Sequence, residues 1–442
     1  MNIAFVSGNQ EKLPNAVVPV GLLYIMAATP DHHDKTLIDL CFEDDPNGAL
    51  RKGLEDLQPD LVAISMRNIQ RNDYGDPRET IDYYAGLVND IREVTSAKIV
   101  LGGSGFSVMP RELMEHIKPD LGISGEGEFA FPKLLETLAD DGNGLDEIGA
   151  LCYWKDNKVV VNERPVGFLD MSTLPFPDKN IIDEQYFSFF GIDSIQTKRG
   201  CSMHCDYCVY PMIEGRKMRM REPKAIVDEM FKALEADPAP DHFFFVDSVF
   251  NLPPKHAKAV CRELISRDWQ IPWTCYINPL FFDEEFAGLA AEAKCAGMEV
   301  GSDSGSDRIL QKLRKGFKLE HVRRFHKIAE EAGIPDCHTF ILGTESETIE
   351  DVKESLEFIV ELEPHSTIIN IWFDDYETLE PTRIEERKKL RTEIEALLLS
   401  DKYAFPNWSV PGLGVNFDER KFRALRHAGY RGPLWQHMRK AS

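Results

Sequence analysis

The segment KRGCSMHCDYCVYP, residues 198–211, carries three cysteines in a C-x3-C-x2-C spacing, at Cys201, Cys205 and Cys208. Three thiols are one too few for a structural zinc site, which requires four ligands. The neighbouring His204 is expected to diverge from Cys205, and no second C-x-x-C pair completes such a site. A redox pair of Cys205 and Cys208 is an alternative that leaves Cys201 unexplained. Three thiolates on an iron–sulfur cluster would leave one iron with an open position, where a small molecule can bind.

Composition and charge describe a globular chain and argue against a membrane span and against binding to nucleic acid. The chain has 442 residues, a hydrophobic content of 43% and a formal net charge of −23. Nucleic-acid binding requires a concentrated basic face, which an acidic total disfavours. No apolar run reaches the roughly 18 residues of a membrane span, and MNIAFVSGNQ has no signal-peptide pattern. The nine cysteines are irregularly spaced, unlike a disulfide framework, so we expect a cytoplasmic protein.

Residues 1–140 alternate apolar segments with helical patterns, which predicts a doubly wound, Rossmann-like α/β domain with a parallel sheet. The predicted strands are residues 2–8, 36–40, 61–65, 98–103 and 121–127. Ligands of such sheets bind beyond the carboxyl ends of the strands, where small residues allow close approach to the backbone. The residues at three of these strand ends are SMRN (65–68), GGSGF (102–106) and GEGE (125–128). They predict a bound cofactor, although glycines at such positions also form ordinary tight turns.

A second α/β series is predicted over residues 191–375, after a hairpin and proline-rich linker at 141–190. The predicted strands are residues 193–197, 242–246, 271–276, 298–302, 337–342 and 366–371. Six units of this size fit a partial (β/α)6 barrel, whose active site lies at the carboxyl ends of its strands. The cysteine segment directly follows the first of these strands. Residues 376–442 are expected to form a small helical and irregular extension over the barrel mouth.

The cysteine segment resembles the radical S-adenosylmethionine superfamily, and the resemblance extends over about residues 195–362. An aromatic residue precedes the last cysteine, and three later blocks follow in the family's order: FFFVDSVFN, AGMEVGSDSGSDRILQKLRKG and AGIPDCHTFILGTESET. Asp303 stands where the family has glutamate, and Thr344-Glu345-Ser346 replaces its usual Leu-Pro-Gly. The resemblance implies a 4Fe–4S cluster on the three cysteines. Its open iron would bind S-adenosylmethionine, which is then cleaved to a 5′-deoxyadenosyl radical.

The resemblance also implies contacts to the cluster or to S-adenosylmethionine from residues at the barrel strand ends. Asp247 ends the apolar strand of HFFFVDS, and a carboxylate at that end of a barrel strand suggests a catalytic role. Capping of the following turn is the alternative. The expected contact residues are Tyr207, Asp247, Asp303, Ser304 and Gly343.

The order of an N-terminal sheet, the LPFPD linker and the cysteine loop resembles the cobalamin-binding subgroup of this superfamily. No Asp-x-His-x-x-Gly motif is present, so no histidine is offered as a lower cobalt ligand. The SMRN turn is similar to that of a tryptophan-methylating member, in which an arginine faces the lower axial side of cobalt. Arg67 is therefore the catalytic candidate, and an ordinary salt bridge is its alternative role. The expected cobalamin contacts are Ser65, Arg67, Asn68, Gly102, Gly103, Ser104, Gly125, Glu126 and Gly127.

Together the two resemblances imply a cobalamin-dependent radical S-adenosylmethionine methyltransferase that acts on an unactivated carbon of a small metabolite. An external reductant of the flavodoxin or ferredoxin type is expected as a partner. Neither binding to nucleic acid nor a membrane span is expected. Two alternatives stay open. One is a radical cyclase, oxidase or mutase that does not use cobalamin for methyl transfer. The other is a non-catalytic iron–sulfur electron carrier or sensor.

Overall fold

The computed structural model describes residues 1–71, 76–140, 142–164 and 170–440, which form two helix-covered sheets. The strands of the first sheet are β1 (Asn2–Ser7), β2 (Asp34–Asp39), β3 (Leu61–Ser65), β4 (Lys98–Gly102), β5 (Leu121–Ile123), β6 (Leu151–Lys155) and β7 (Lys158–Val161). Their spatial order is β2-β1-β3-β4-β5-β6-β7, and β1 to β5 run parallel. Strand β2 lies on one side of β1, and β3 to β5 lie on the other, so the strand order reverses between β1 and β3. This is the switch point where doubly wound sheets bind ligands.

Helices cover both faces of the first sheet, as the sequence predicts. Its central strands are almost wholly apolar and are buried on both sides, which is typical of parallel sheets. Two separate cores result, one on each face. The helices are α1 (Val20–Ala28), α2 (Pro46–Leu57), α3 (Pro77–Val94), α4 (Ser104–Val108), α5 (Pro110–Ile117) and α6 (Gly127–Ala139).

The predicted hairpin forms, but it belongs to the first sheet and not to a separate connecting region. Strand β6 pairs antiparallel with β5, and β7 pairs antiparallel with β6. The first domain therefore extends past residue 140, to about residue 164. Residues 165–169 of the predicted linker lie outside the described residues.

The second sheet is the predicted partial barrel, with one strand more than expected. Its strands are β8 (Ile192–Ile195), β11 (His242–Phe245), β12 (Trp273–Ile277), β13 (Cys295–Asp303), β14 (Asp336–Leu342), β15 (Ser366–Ile371) and β16 (Trp408–Ser409), with the short ribbon β9 (Lys198–Arg199) and β10 (Arg219–Met220) after β8. The order is β16-β15-β14-β13-β12-β11-β8, and every pairing is parallel. The carboxyl ends of the strands therefore share one edge.

The barrel helices lie between successive strands and pack on their outer surface. They are α7 (Tyr210–Glu214), α8 (Pro223–Ala233), α9 (Pro254–Ser266), α10 (Glu284–Glu292), α11 (Asp307–Lys312), α12 (Leu319–Glu331) and α13 (Ile349–Leu362), followed by α14 (Pro381–Leu398) and α15 (Glu419–His427). No helix of the described residues is long and apolar enough to span a bilayer.

The C-terminal region only partly follows the expectation of an extension over the barrel mouth. Arg387 of α14 donates hydrogen bonds to the carbonyls of Gly343 and Thr344, at the carboxyl end of β14. The chain then adds β16 to the sheet. The last helical turn of the chain, Leu434–Lys440, lies at the opposite, amino end of the barrel. There the Gln436 side-chain amide donates to the Ala296 carbonyl. The sequence missed this course because the two-residue strand lies in a proline-punctuated segment.

Buried ion pairs join the two domains. Arg199 of β9 contacts Glu128 of α6 across the interface at 2.5 Å, and within the second domain Arg221 contacts Glu229 at 2.5 Å. The Tyr24 hydroxyl of the first domain donates to Glu229 at 2.8 Å. Burial alone would raise the pKa of Glu128, but the charge of Arg199 holds it below its usual value. The carboxyl edges of both sheets are thereby held toward a common interface.

Candidate active site

The cysteine loop is held at its base by a two-stranded ribbon. Strands β9 and β10 pair antiparallel, with Lys198 opposite Met220. Gly200 follows at φ 88°, and a Cβ at this position would collide with the Lys217 carbonyl, so the turn requires glycine. The Gly200 amide donates to Glu214 at 3.0 Å, and the Cys201 amide donates to the Gly215 carbonyl at 3.2 Å. The sequence therefore closes the loop just before its first cysteine.

The three thiols of this loop fit a cluster better than a single metal ion. Cys201 is buried, Cys205 and Cys208 are partly exposed, and all three are free thiols, whereas His204 is exposed. Among the described residues, one group of three possible metal-ligating side chains has its ligand atoms within 4.8 Å of one another, and that group does not include these cysteines. The three sulfur atoms therefore do not all lie within 4.8 Å of one another. Zinc–sulfur bonds of about 2.3 Å would draw the sulfurs closer together. A cluster spreads its ligands over several irons, which this spacing suits.

A charged triad anchors the loop to the end of β13. The Tyr207 hydroxyl donates to Asp303 Oδ2 at 2.5 Å, and Lys315 Nζ contacts the same oxygen at 2.6 Å. Asp303 adopts φ 61° beside a register shift in the β13–β14 pairing. The triad thus places Tyr207, which lies between two cluster cysteines, directly on a strand end of the barrel. Lys315 lies in a block that carried the resemblance, but its partner could not be identified without the fold.

Lys315 also influences the cysteine thiols. Burial raises the pKa of Cys205, and the positive charge of Lys315 lowers it in part. Burial likewise raises the pKa of Cys208, again with Lys315 acting in the opposite direction. Since only the thiolate binds metal, this cation favours the ligating form.

Asp247 lies at the predicted strand end, but its oxygens are already used by the chain. Oδ1 accepts from the amides of Thr197 at 2.8 Å and Lys198 at 3.2 Å, and Oδ2 accepts from the Thr197 hydroxyl. The side chain is 1% exposed. This geometry favours a positioning role for the β8–β9 turn that precedes the cysteines. Contact between Asp247 and a cofactor, and hence its catalytic role, stays a prediction.

Two other predicted contacts also lie at the strand ends. Ser304 is fully buried, and its hydroxyl hydrogen-bonds the Ser355 hydroxyl at 3.1 Å. Gly343 adopts φ 80°, where glycine is favoured, and its carbonyl accepts from Arg387. Ser304 is thus held through its hydroxyl, and Gly343 through its backbone carbonyl.

The strand ends of the first sheet are tied together largely through backbone atoms. The Ser104 hydroxyl donates to the Arg67 carbonyl at 2.6 Å, and the Gly105 amide donates to the Met66 carbonyl at 2.9 Å. Gly103 adopts φ 101°, and a Cβ there would approach the Met66 carbonyl oxygen to 2.5 Å. The small residues of this edge are therefore required by close packing between loops.

Two buried donors at the switch point lack partners within the described residues. Arg67 Nη1 follows β3, and Asn9 Nδ2 follows β1. Buried donors are normally satisfied, so these two indicate a missing acceptor. Cobalamin offers amide and phosphate oxygens, which fit such donors. The donor set of this edge is thus compatible with cobalamin.

Of the other residues predicted at this edge, Glu126 has a clear alternative role. Its carboxylate contacts Arg199 at 3.2 Å and Arg219 at 2.7 Å, across the domain interface. Gly125 adopts φ 102° beside the Arg164 side chain. Ser65 accepts from the Tyr84 hydroxyl through its carbonyl. The remaining predicted cobalamin contacts lie at the same strand ends: Asn68, Gly102 and Gly127.

The two edges face each other across the interface. Helix α4, which follows β4, packs against α7, which follows the cysteines. Arg164 bridges them, donating to the Ile213 carbonyl at 3.3 Å and to the Ser124 hydroxyl at 2.7 Å. No sequence pattern identified Arg164, because its role depends on the docking of the domains. A cofactor on the first sheet would therefore lie against the cysteine loop.

Comparisons with known proteins agree with this geometry. A B12-binding domain model matches residues 8–135, and a radical SAM superfamily model matches residues 195–359. Tryptophan 2-C-methyltransferase of Streptomyces laurentii is 27% identical, over 82% of this chain and 70% of the relative. Cytidylyl-2-hydroxyethylphosphonate methyltransferase of Streptomyces wedmorensis is 24% identical, over 79% of this chain and 74% of the relative.

A solved structure has the same fold over the full chain. The radical S-adenosylmethionine methyltransferase TsrM from Kitasatospora setae, with cobalamin and a [4Fe–4S] cluster bound, superposes with a TM-score of 0.83 at 23% identity. The match covers 100% of this chain and 97% of TsrM. The C-x3-C-x2-C loop, the facing strand ends and the two family matches lead to one conclusion. The chain combines a B12-binding domain with a radical SAM domain, and it has the fold of a cobalamin-binding radical S-adenosylmethionine methyltransferase.

Proposed function

We propose that the protein methylates a carbon of a small aromatic molecule that binds inside the barrel, at the interface between its two cofactor edges. The observation that carries this proposal is the packing of α4 against α7, which turns the orphaned Arg67 donor and the cysteine loop toward one interface. Tryptophan is the first substrate to test, because a relative that aligns over most of this chain methylates tryptophan.

Each cofactor has its own set of residues in this proposal. When bound, the cluster activates S-adenosylmethionine and cobalamin carries the methyl group. Cys201, Cys205 and Cys208 would hold the cluster, and the strand ends around Arg67 would hold cobalamin. The positive charge of Arg67 would lie beside the cobalamin held at this edge. No histidine motif competes with it in this region of the sequence.

The residues of the chain contribute positioning and exclusion of water. The Tyr207–Asp303–Lys315 triad fixes the cysteine loop against β13, and Asp247 fixes the turn before it. Holding reactants in place removes much of the entropic barrier of a reaction between bound molecules. Domain docking through Arg199 and Glu128 covers the interface, which keeps reactive species away from water.

The test is anaerobic reconstitution with iron, sulfide and hydroxocobalamin, followed by incubation with S-adenosylmethionine, reductant and L-tryptophan. The expected product is heavier than the substrate by one methylene unit. Counting 5′-deoxyadenosine in the same samples distinguishes radical from polar methyl transfer. Deoxyadenosine without any methylated product would instead favour a radical cyclase, oxidase or mutase. A preparation that binds a cluster but cleaves no S-adenosylmethionine would favour an electron carrier.

We also propose that the protein works in the cytoplasm with an external reductant of the flavodoxin or ferredoxin type. All nine cysteines are free, which suits a reducing compartment. Reduction of the reconstituted cluster by a purified flavodoxin, followed by its electron paramagnetic resonance signal, tests the second part.

A further inference from the structure

The interior of the barrel contains a carboxylate on β13. Residues of adjacent strands alternate between the two faces, and Cys275, Ile277, Met298 and Val300 face outward into the core beneath the helices. Their intervening neighbours therefore face inward. Tyr276 and Glu299 are two of these, and they are directly paired between β12 and β13.

The inward side chains leave accessible space between them. Tyr276 is 38% exposed, although it lies on a central strand of the sheet. Five other inward positions are also partly exposed: Phe244, Glu299, Thr339, Ile341 and Ile368. The interior is therefore not filled by its own side chains. Aromatic and aliphatic groups, such as Phe244, Tyr276 and Ile341, form part of its wall.

The C-terminal turn Leu434–Lys440 forms the floor of this interior. Trp435 and Met438 pack against Cys337 at the amino end of β14. Trp435 Nε1 donates to Glu299 Oε1 at 2.9 Å. Access to Glu299 is thus closed from below, which leaves the mouth near the cysteine loop as the route of entry.

Glu299 has neutral hydrogen-bond donors but no cation. Trp435 and the Tyr276 hydroxyl donate to it, and no lysine, arginine or histidine of the described residues forms an ion pair with it. Burial raises the pKa of Glu299 to about 7, and those two hydrogen bonds lower it only in part. The thiols of Cys337 on β14 and Cys275 on β12 are its titratable neighbours, and burial raises the pKa of both.

We propose that Glu299 binds a cationic primary amine of the substrate at the floor of the barrel. The inference rests on the proposed function, because it assigns the substrate to the same interior. A half-buried carboxylate in an enclosed interior is unfavourable without a countercharge, and an ammonium group would supply the missing charge. The rings of Tyr276 and Phe244 meet edge to face with their centroids 5.0 Å apart. Their aromatic character adds a favourable environment for a cation.

The test compares ligands that differ in the amine, using cofactor-loaded enzyme and direct binding measurements. Tryptamine carries the amine, whereas indole and indole-3-propionate do not. Glu299→Gln should weaken tryptamine binding at least about tenfold and indole binding less than about twofold. Glu357→Gln removes an exposed carboxylate that pairs with Lys402, and it should change the affinity for neither tryptamine nor indole. Equal losses for tryptamine and indole, or no binding of tryptamine to the wild type, would overturn the proposal.

The pH dependence gives a second readout. The carboxylate ionises as the pH rises through about 7, so tryptamine should bind more tightly at pH 8 than at pH 6. This trend should disappear in Glu299→Gln. Should that variant fail to fold, Trp435→Phe serves instead. It removes one hydrogen bond that lowers the pKa of Glu299, so the rise in tryptamine affinity should move to higher pH. An unchanged profile in the folded variant would contradict the proposal.

The two proposals fail in different ways. Glu299-dependent binding of tryptamine without methylation of any indole would reject the proposed substrate, while the amine subsite would stand. Methylation of L-tryptophan with unchanged affinity in Glu299→Gln would reject the subsite, while the proposed function would stand.

Discussion

The cysteine loop and the strand ends of the first sheet face the same interface, but they are held by different interactions. Charged side chains anchor the cysteine loop, through Tyr207, Asp303 and Lys315. The opposing edge is held mainly by backbone carbonyls and by glycine, as at Gly103 and Met66. One region therefore depends on particular functional groups, and the other depends on the absence of side-chain atoms. This difference predicts which substitutions damage which region.

The largest effect is expected from loss of a cluster ligand. Cys205→Ala should reduce iron from about four per chain to near zero and abolish S-adenosylmethionine cleavage, because three thiolates are the only protein ligands of the proposed cluster. Iron and sulfide analysis of anaerobic preparations measures the loss of the cluster. Cys337→Ala, which removes a buried thiol of the same barrel, should retain its iron. Equal iron in both variants would refute the assignment of the loop.

The second-largest effect is expected from loss of the positive charge in the Tyr207–Asp303–Lys315 triad. Lys315→Met leaves the buried Asp303 without its cation, which should lower the free energy of unfolding by about 3–5 kcal/mol. Denaturant titration measures this. Lys402→Met, at an exposed pair with Glu357, should cost less than about 1 kcal/mol.

A double variant sharpens the same test. Adding Asp303→Asn to Lys315→Met removes the unpaired charge, so part of the lost stability should return. A double variant no more stable than Lys315→Met would show that the ion pair does not hold the loop.

A smaller loss is expected where the opposing edge needs glycine. Gly103→Ala should lower stability by about 1–3 kcal/mol, because the new Cβ meets the Met66 carbonyl and the positive φ is unfavourable. Gly144→Ala also has a positive φ, but its ψ is 21° against 173° at Gly103, and only the end of the Glu147 side chain lies within 4 Å of the new Cβ. It therefore shows the cost of an alanine at positive φ without a close backbone contact. If both variants lose the same stability, close packing is not what fixes this edge.

The smallest effect is expected from a hydroxyl at the same edge. Ser104→Ala removes the hydrogen bond to the Arg67 carbonyl, which should cost about 1 kcal/mol. Bound cobalt per chain should change little, since the backbone still places Arg67. Cobalt analysis with thermal unfolding tests both parts. A complete loss of cobalt would mean that the hydroxyl itself contacts the cofactor.

The sequence predicted the two sheets and the cysteine loop because these depend on local patterns. Apolar periodicity located five strands of the first sheet and six of the second, and cysteine spacing located the loop. Lys315, Arg164 and Glu299 were not predicted as site residues. Their partners are distant in sequence, so their environment exists only after the strands and domains pack. The same reason explains Glu126, whose carboxylate pairs with arginines from the other domain.

Positions at strand ends were predicted better than the use of their side chains. Asp247 lies where the alternation of strands and helices placed it, but its oxygens bind the turn at Thr197. A sequence pattern gives the location of a carboxylate and not its hydrogen-bond partners. The C-terminal turn at the barrel floor was missed because a short irregular segment has no periodicity.

The most direct test of the account is a count of iron and cobalt in one anaerobically reconstituted preparation, followed by transfer of an isotope-labelled methyl group from S-adenosylmethionine. The account predicts about four irons and one cobalt per chain, with label first on the cobalamin fraction and then on the substrate. A preparation with full iron but no retained cobalt, or with label that never passes through cobalamin, would contradict it.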